Sequence, residues 1–205
     1  MRLTSTSFAH LAAIPTHCAF GQPNGQGGMQ FAENLNPQLA FHEVPEGTRS
    51  FALICIDTDV PTQFEDVNQA GRELPADMPR QGFIHWVIVD LPADLREIAE
   101  GSCSVGVVAG GKQEPMGPDG SRQGLNDYGG FMGDGDYYGY DGPCPPWNDA
   151  RMHHYSFVLY ALDLASLPVE GAFTAEDVQA AMAGHILAEA RLTGTYAIHP
   201  ALHGR

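Results

Sequence analysis

The apolar run "FALICIDTDVP" (51–61) closes on two aspartates one residue apart and then a proline. A β-strand alternates its side chains between two faces, so Phe51, Leu53, Cys55, Asp57 and Asp59 are expected to point the same way. The face that carries the core then also carries both carboxylates. A carboxylate buried without partners is costly, so this face must either reach solvent or meet hydrogen-bond donors near Asp57.

Two other runs supply the donors. "GFIHWVIVDLP" (82–92) sets Phe83, His85, Val87 and Val89 on one face, and "MHHYSFVLYALD" (152–163) sets His153, Tyr155, Phe157 and Leu159 on one face. The first strand ends at its aspartates, whereas these two begin at their histidines. If both lie antiparallel to 51–59, all three polar ends fall at one edge of the sheet. Two Asp and two His then surround a mouth edged by Pro145, Pro146 and Tyr155. Taken singly, each histidine reads as a solvated or satisfied polar residue; the coincidence of three strand ends is what makes a site.

The remaining strand-length runs are 104–109, 17–20 and 38–41, separated by Gly- and Pro-rich turns. Thr174 with Asp177 three residues on predicts a helix start. Helical spacing continues through Val178, Met182, Ile186 and Leu187, with Gly194 as the stop. Strands followed by one late helix predict an antiparallel β core with helical decoration. The 205 residues suit a single domain. Residues 62–82 are long for a hairpin connection, and 126–147 are dense in Gly, Asp, Tyr and Pro.

Composition excludes several functions. With 25 acidic against 10 basic residues, and Lys112 the one lysine, the surface repels phosphate backbones and nucleic acid is not expected as a partner. No stretch reaches the roughly 18 apolar residues of a membrane span, and no leader pattern opens the chain, so a cytoplasmic protein is expected. Cys18, Cys55, Cys103 and Cys144 contain no C-x-x-C pair and read as reduced thiols. "DGDYYGYD" (134–141) lacks the bidentate Glu of a calcium loop and reads as a solvated acidic loop.

Taken together, "NLNPQLAFHEVPEGTRSFALICIDTDVP" (34–61), "HWVIVDLPAD" (85–94), "NDYGG" (126–130), "YDGPCPPWNDARMHHYSFVLYALD" (140–163) and "HILAEARLTGTY" (185–196) resemble the phosphatidylethanolamine-binding proteins, above all their bacterial Raf-kinase-inhibitor-like branch, the YbhB/YbcL type. The resemblance covers most of 15–196, with 62–82 and 131–139 as apparent insertions. It implies a mainly β fold, an antiparallel β-sandwich with a C-terminal helix and an anion pocket at one end of the strands. Carried over by motif position, that pocket uses Asp57, Asp59, Pro61, His85, Pro146, His153 and Tyr155. The resemblance also implies a cis bond at Val60–Pro61. Ile84 stands where eukaryotic members have a second histidine, and the basic surface those members use toward kinases has no counterpart in this acidic chain.

The function expected from these residues is binding of a small anion or phosphorylated ligand, with both histidines as donors and no cofactor or metal. The alternative is a hydrolase using the same Asp/His set for acid–base chemistry; against it, no serine or cysteine in the motifs has an evident activating partner. The 62–82 loop is expected to narrow the entrance or to form a homodimer contact.

Overall fold

The computed structural model of the protein describes residues 1–204 apart from Glu114, Met116 and Asp134. A five-stranded sheet holds β5 (Ser50–Pro61), β6 (Arg80–Pro92), β8 (Arg122–Gln123), β9 (His153–Leu162) and β10 (Ile186–Tyr196) in the order β10-β9-β5-β6-β8, every neighbour antiparallel. A smaller sheet holds β1 (Arg2–Thr4), β4 (Leu39–His42) and β7 (Glu97–Ile98), and β2 (Gly21–Pro23) pairs with β3 (Met29–Phe31). The helices are α1 (Gly129–Met132) and α2 (Ala175–Met182).

Strand β5 is buried on both faces, which explains its unbroken apolar run. Phe51, Leu53 and Cys55 pack toward Leu3, Leu39, Phe41 and Ile98 of the small sheet. Ala52 and Ile54 pack with Val87 and Val89 against Val169, Phe173, Val178 and Met182, so α2 covers the other face. The expected antiparallel arrangement holds: Asp57 pairs with Phe83 on one side and Tyr155 on the other, so the three polar ends do meet at one edge.

Four expectations require correction. The late helix stops at Met182; its Thr174–Asp177 capping box is present, but Gly184 takes φ 82° and Ile186–Tyr196 becomes edge strand β10. On β10, Ala190, Leu192 and Tyr196 enter the core while Glu189 and Arg191 face solvent, a period of two that Ala- and Leu-rich sequence also permits in a helix. Gly194 is no helix stop: a Cβ there would lie 2.5 Å from Ile14, so glycine allows the N-terminal segment to approach β10. Residues 104–109 form no strand, and Val105 and Val108 are exposed because no neighbouring strand offers them a ladder. Residues 17–20 yield a 3-10 turn at Thr16–Cys18 before β2 begins. Val60–Pro61 is trans, since the described residues contain no cis peptide bond.

Candidate functional site

The sheet edge opens into a cavity of about 220 Å³ lined by Asp57, Pro61, His85, Pro146, His153 and Tyr155. The walls are apolar: Phe20, Met29 and Phe83 inside, with Phe64 and Val67 from the 62–79 connection and Phe131 and Met132 from α1 at the rim.

Asp59 is the expected residue that the cavity does not receive. Between Asp57 and Val60 the pairing to β6 advances three residues on β5 but only two on β6, from Phe83 to Gln81. This one-residue bulge puts Val60, not Asp59, on the cavity face. Asp59 turns to the opposite side, where Arg151 Nε donates to Oδ1 at 2.5 Å and His154 Nδ1 meets Oδ2 at 2.8 Å. These partners outweigh burial and hold the Asp59 carboxyl below the usual carboxylate range. Its backbone N–H still donates to Asp57 Oδ1 at 2.8 Å, which fixes the carboxylate that remains in the site.

His153 is fully buried and its ring is held from both ends. Nδ1 donates to Asp57 Oδ2 at 2.6 Å and Nε2 to Asp149 Oδ2 at 3.0 Å. Asp149 in turn accepts a fork from Arg80, at 2.5 Å to Oδ2 and 3.0 Å to Oδ1. Burial would lower the His153 pKa, but Asp57 and Asp149 dominate and raise it to about 9. The order Asp57, His153, Asp149, Arg80 alternates in sign and sums to zero. Both ring nitrogens are committed, so His153, expected as a ligand donor, clamps Asp57 at the cavity wall. A metal bound between two histidines and a carboxylate would have to break these bonds.

His85 is the imidazole left for a ligand. Its Nδ1 lies 2.7 Å from the carbonyl oxygen of Asp141, so Nδ1–H donates there and Nε2 remains for the cavity. Burial is the main influence and pulls its pKa below the ordinary value, despite the charge of Asp57 nearby. The Tyr155 hydroxyl is buried and makes no hydrogen bond of good geometry; burial and Asp57 push its ionisation well above the usual range, so it stays a neutral donor. Cys144 also lines the cavity, but burial holds its thiol up to about 12, which removes it as a nucleophile.

Behind His85 stands a network that the sequence reading did not assign. Asp141 Oδ1 accepts from Asn34 Nδ2 at 2.7 Å and from Lys112 Nζ at 2.5 Å, and Oδ2 accepts from Asn126 Nδ2 at 2.9 Å. Lys112 Nζ also donates to the Tyr140 carbonyl at 2.9 Å. The backbone N–H of Asp141 donates to the His85 carbonyl at 3.0 Å, so the network sets both the chain and the ring of His85. A lone lysine in an acidic chain was the available signal. Asn126 and Tyr128 belong to the "NDYGG" stretch, and the Tyr128 hydroxyl closes the cavity wall by donating to the Gly142 carbonyl at 2.6 Å.

The 62–79 connection is fastened beside the mouth. Leu74 is buried, Asn68 Oδ1 accepts from the Trp147 N–H at 3.0 Å, and Asn148 Oδ1 accepts from the Asn68 N–H at 2.9 Å. Phe64 meets Phe131 edge to face, with ring centroids 5.2 Å apart.

Comparison with known proteins agrees with this architecture. The family described as phosphatidylethanolamine-binding protein matches residues 4–197. The chain is 33% identical to the UPF0098 protein YbhB of Escherichia coli over 201 residues, covering 96% of this chain and 99% of that protein. It is 37% identical over 164 residues to a UPF0098 protein of Methanothermobacter thermautotrophicus, covering 80% and 83%. Among solved structures it is similar to E. coli YbcL, described as a new member of the mammalian PEBP family, with a TM-score of 0.70 and 27% identity over 96% of this chain and 98% of that one. Among the described residues no helix is long and apolar enough to cross a membrane.

Proposed function

The chain belongs to the phosphatidylethanolamine-binding protein family, and from that premise we propose that this ligand-binding protein takes the monoanion of phosphate or of a small phosphomonoester among Asp57, His85 and Tyr155. The observation that carries the reading is a pair of donors that line the cavity beside the Asp57 carboxylate, His85 Nε2 and the Tyr155 hydroxyl. Donors suit anionic oxygens, whereas Asp57 repels a dianion. A phosphomonoester that keeps one proton resolves the conflict: its P–OH donates to Asp57 while its charged oxygens accept from His85 and Tyr155. Phosphomonoesters take up that proton near pH 6. Protonation of His85 adds a cation in the same direction.

Binding therefore tightens as pH falls from about 8 to about 6, by about tenfold per unit for each proton taken up on binding. Calorimetric titration with inorganic phosphate, phosphoethanolamine and phenyl phosphate measures this directly. His85→Gln abolishes the binding, and Tyr155→Phe weakens it by about tenfold, the worth of one charge-assisted hydrogen bond. Affinity that is independent of pH, or unaltered in His85→Gln, overturns the reading. Steady release of phosphate from the esters by the wild type, lost in His85→Gln, would move the assignment to the hydrolase alternative.

A further inference from the structure

Away from the cavity, the 3-10 turn at Thr16–Cys18 lies against the loop that follows β7. His17 Nε2 is 3.2 Å from Glu100 Oε1, and Cys18 Sγ is 3.8 Å from Glu100 Oε2. One ligand atom from each of the three residues lies within 4.8 Å of the other two. We propose that His17, Cys18 and Glu100 form a three-ligand site for a divalent cation of the zinc class, with a fourth position open to water.

Geometry is the first argument. Zinc bonded to N, O and S at about 2.0–2.3 Å in a tetrahedron sets those atoms about 3.3–3.6 Å apart. The separations of 3.2 and 3.8 Å run to the two different oxygens of the Glu100 carboxylate and the three ligand atoms lie within 4.8 Å of one another, so loading needs a rotation of the carboxylate and a modest closing of the three side chains. The second argument is the state of His17 Nε2, which is shielded from solvent and makes no hydrogen bond of good geometry although a carboxylate oxygen is 3.2 Å away. The two groups form an ion pair across 3.2 Å, so both ligand atoms already stand side by side where a cation would replace the shared proton.

The surroundings have the features of a metal site. The turn is rigid: Cys18 N–H donates to the Pro15 carbonyl at 2.9 Å, and the Tyr140 hydroxyl donates to the Cys18 carbonyl at 2.6 Å. Ser7 Oγ donates to Glu100 Oε2 at 2.6 Å, an outer-shell contact that orients the carboxylate. Cys18 is buried while Glu100 faces solvent, which leaves an entry path and room for water. Imidazole, thiolate and carboxylate together select zinc-like ions over calcium or magnesium. Zinc binds cysteine as the thiolate, so loading releases the Cys18 thiol proton to solvent.

Cobalt(II) is the probe. One equivalent added to metal-free protein should produce a thiolate-to-cobalt charge-transfer band that zinc abolishes by displacement. Cys18→Ser removes the band, Glu100→Gln and His17→Ala lower zinc affinity at least tenfold, and Ser7→Ala lowers it about tenfold. A folded wild type with no band overturns the proposal, as does a band that persists in Cys18→Ser and so belongs to another thiol. Should Cys18→Ser fail to fold, the partly exposed Glu100 and His17 decide the matter: unchanged zinc affinity in either variant refutes the site.

Discussion

His153 donates through Nδ1 to Asp57 Oδ2 at 2.6 Å, with both side chains buried, so the residue at the start of one strand neutralises the carboxylate at the end of another. This bond holds Asp57 in place and takes His153 out of competition for a ligand.

The bond sets a pH dependence of stability. The folded-state pKa of His153 is about 9, above the 6.5 of a free histidine. A raised histidine pKa stabilises fully below the unfolded value and loses its contribution as pH rises through the folded value. Unfolding free energy from urea titration should therefore decline between about pH 6.5 and about pH 9.5 by on the order of 3 kcal/mol. His153→Gln should lower stability by about 3–5 kcal/mol, because it leaves two buried carboxylates short of a cation, and should flatten that decline. An equally steep profile in the variant would contradict this.

The two aspartates separate experimentally. Asp59→Asn changes a side chain outside the cavity and keeps the backbone N–H that holds Asp57, so phosphate affinity should stay within about twofold. It should lower stability by about 1–3 kcal/mol through its weakened bonds to Arg151 and His154. The Asp59 contribution is present above the unfolded carboxyl pKa of about 3.9 and is lost as pH falls below it. Asp57→Asn should alter the pH dependence of phosphate binding as well as stability. Calorimetry on both variants decides; equal effects on binding would mean that the bulge does not separate their roles.

Lys112→Met should lower stability by about 3–5 kcal/mol, because Asp141 then stays buried without its cation. The His85 ring should also lose its fixed orientation, since Asp141 sets it through its carbonyl. Chemical denaturation with imidazole NMR of His85 tests both parts. Unchanged His85 resonances would sever the link between network and site.

Phe64→Ala and Phe131→Ala remove half-exposed rings from the rim, so each should change stability by no more than about 1 kcal/mol. Phenyl phosphate should lose affinity in both while inorganic phosphate keeps it, because only the organic group reaches the rim. Parallel calorimetric titrations compare the two ligands. A matching loss for inorganic phosphate would show that the rings shape the floor instead.

The sequence alone determined that Asp57, His85 and Tyr155 would gather at one sheet edge. Antiparallel pairing brings the three strand ends together and alternation carries Asp57 and Tyr155 to the cavity, but His85 reaches it through a bulge: from Cys55 to Ile56 the pairing advances two residues on β6, from Trp86 to Ile84, so Val87 and Val89, expected on the His85 face, pack under α2 instead. The sequence also placed the Thr174 cap, a local backbone bond. Tertiary structure decided the rest. Residues 186–196 suit helix and strand alike, and the open edge of β9 settled the matter by offering a ladder. One bulge turned Asp59 away, since a single inserted residue reverses every facing beyond it. His153 became a clamp because Asp149, from the loop before β9, takes its second nitrogen and is held there by Arg80 at the start of β6. Lys112 met Asp141, and Cys18 met Glu100, only after distant segments packed. Low dielectric in the interior makes such pairings decisive, and which charges share that interior is a property of the whole fold.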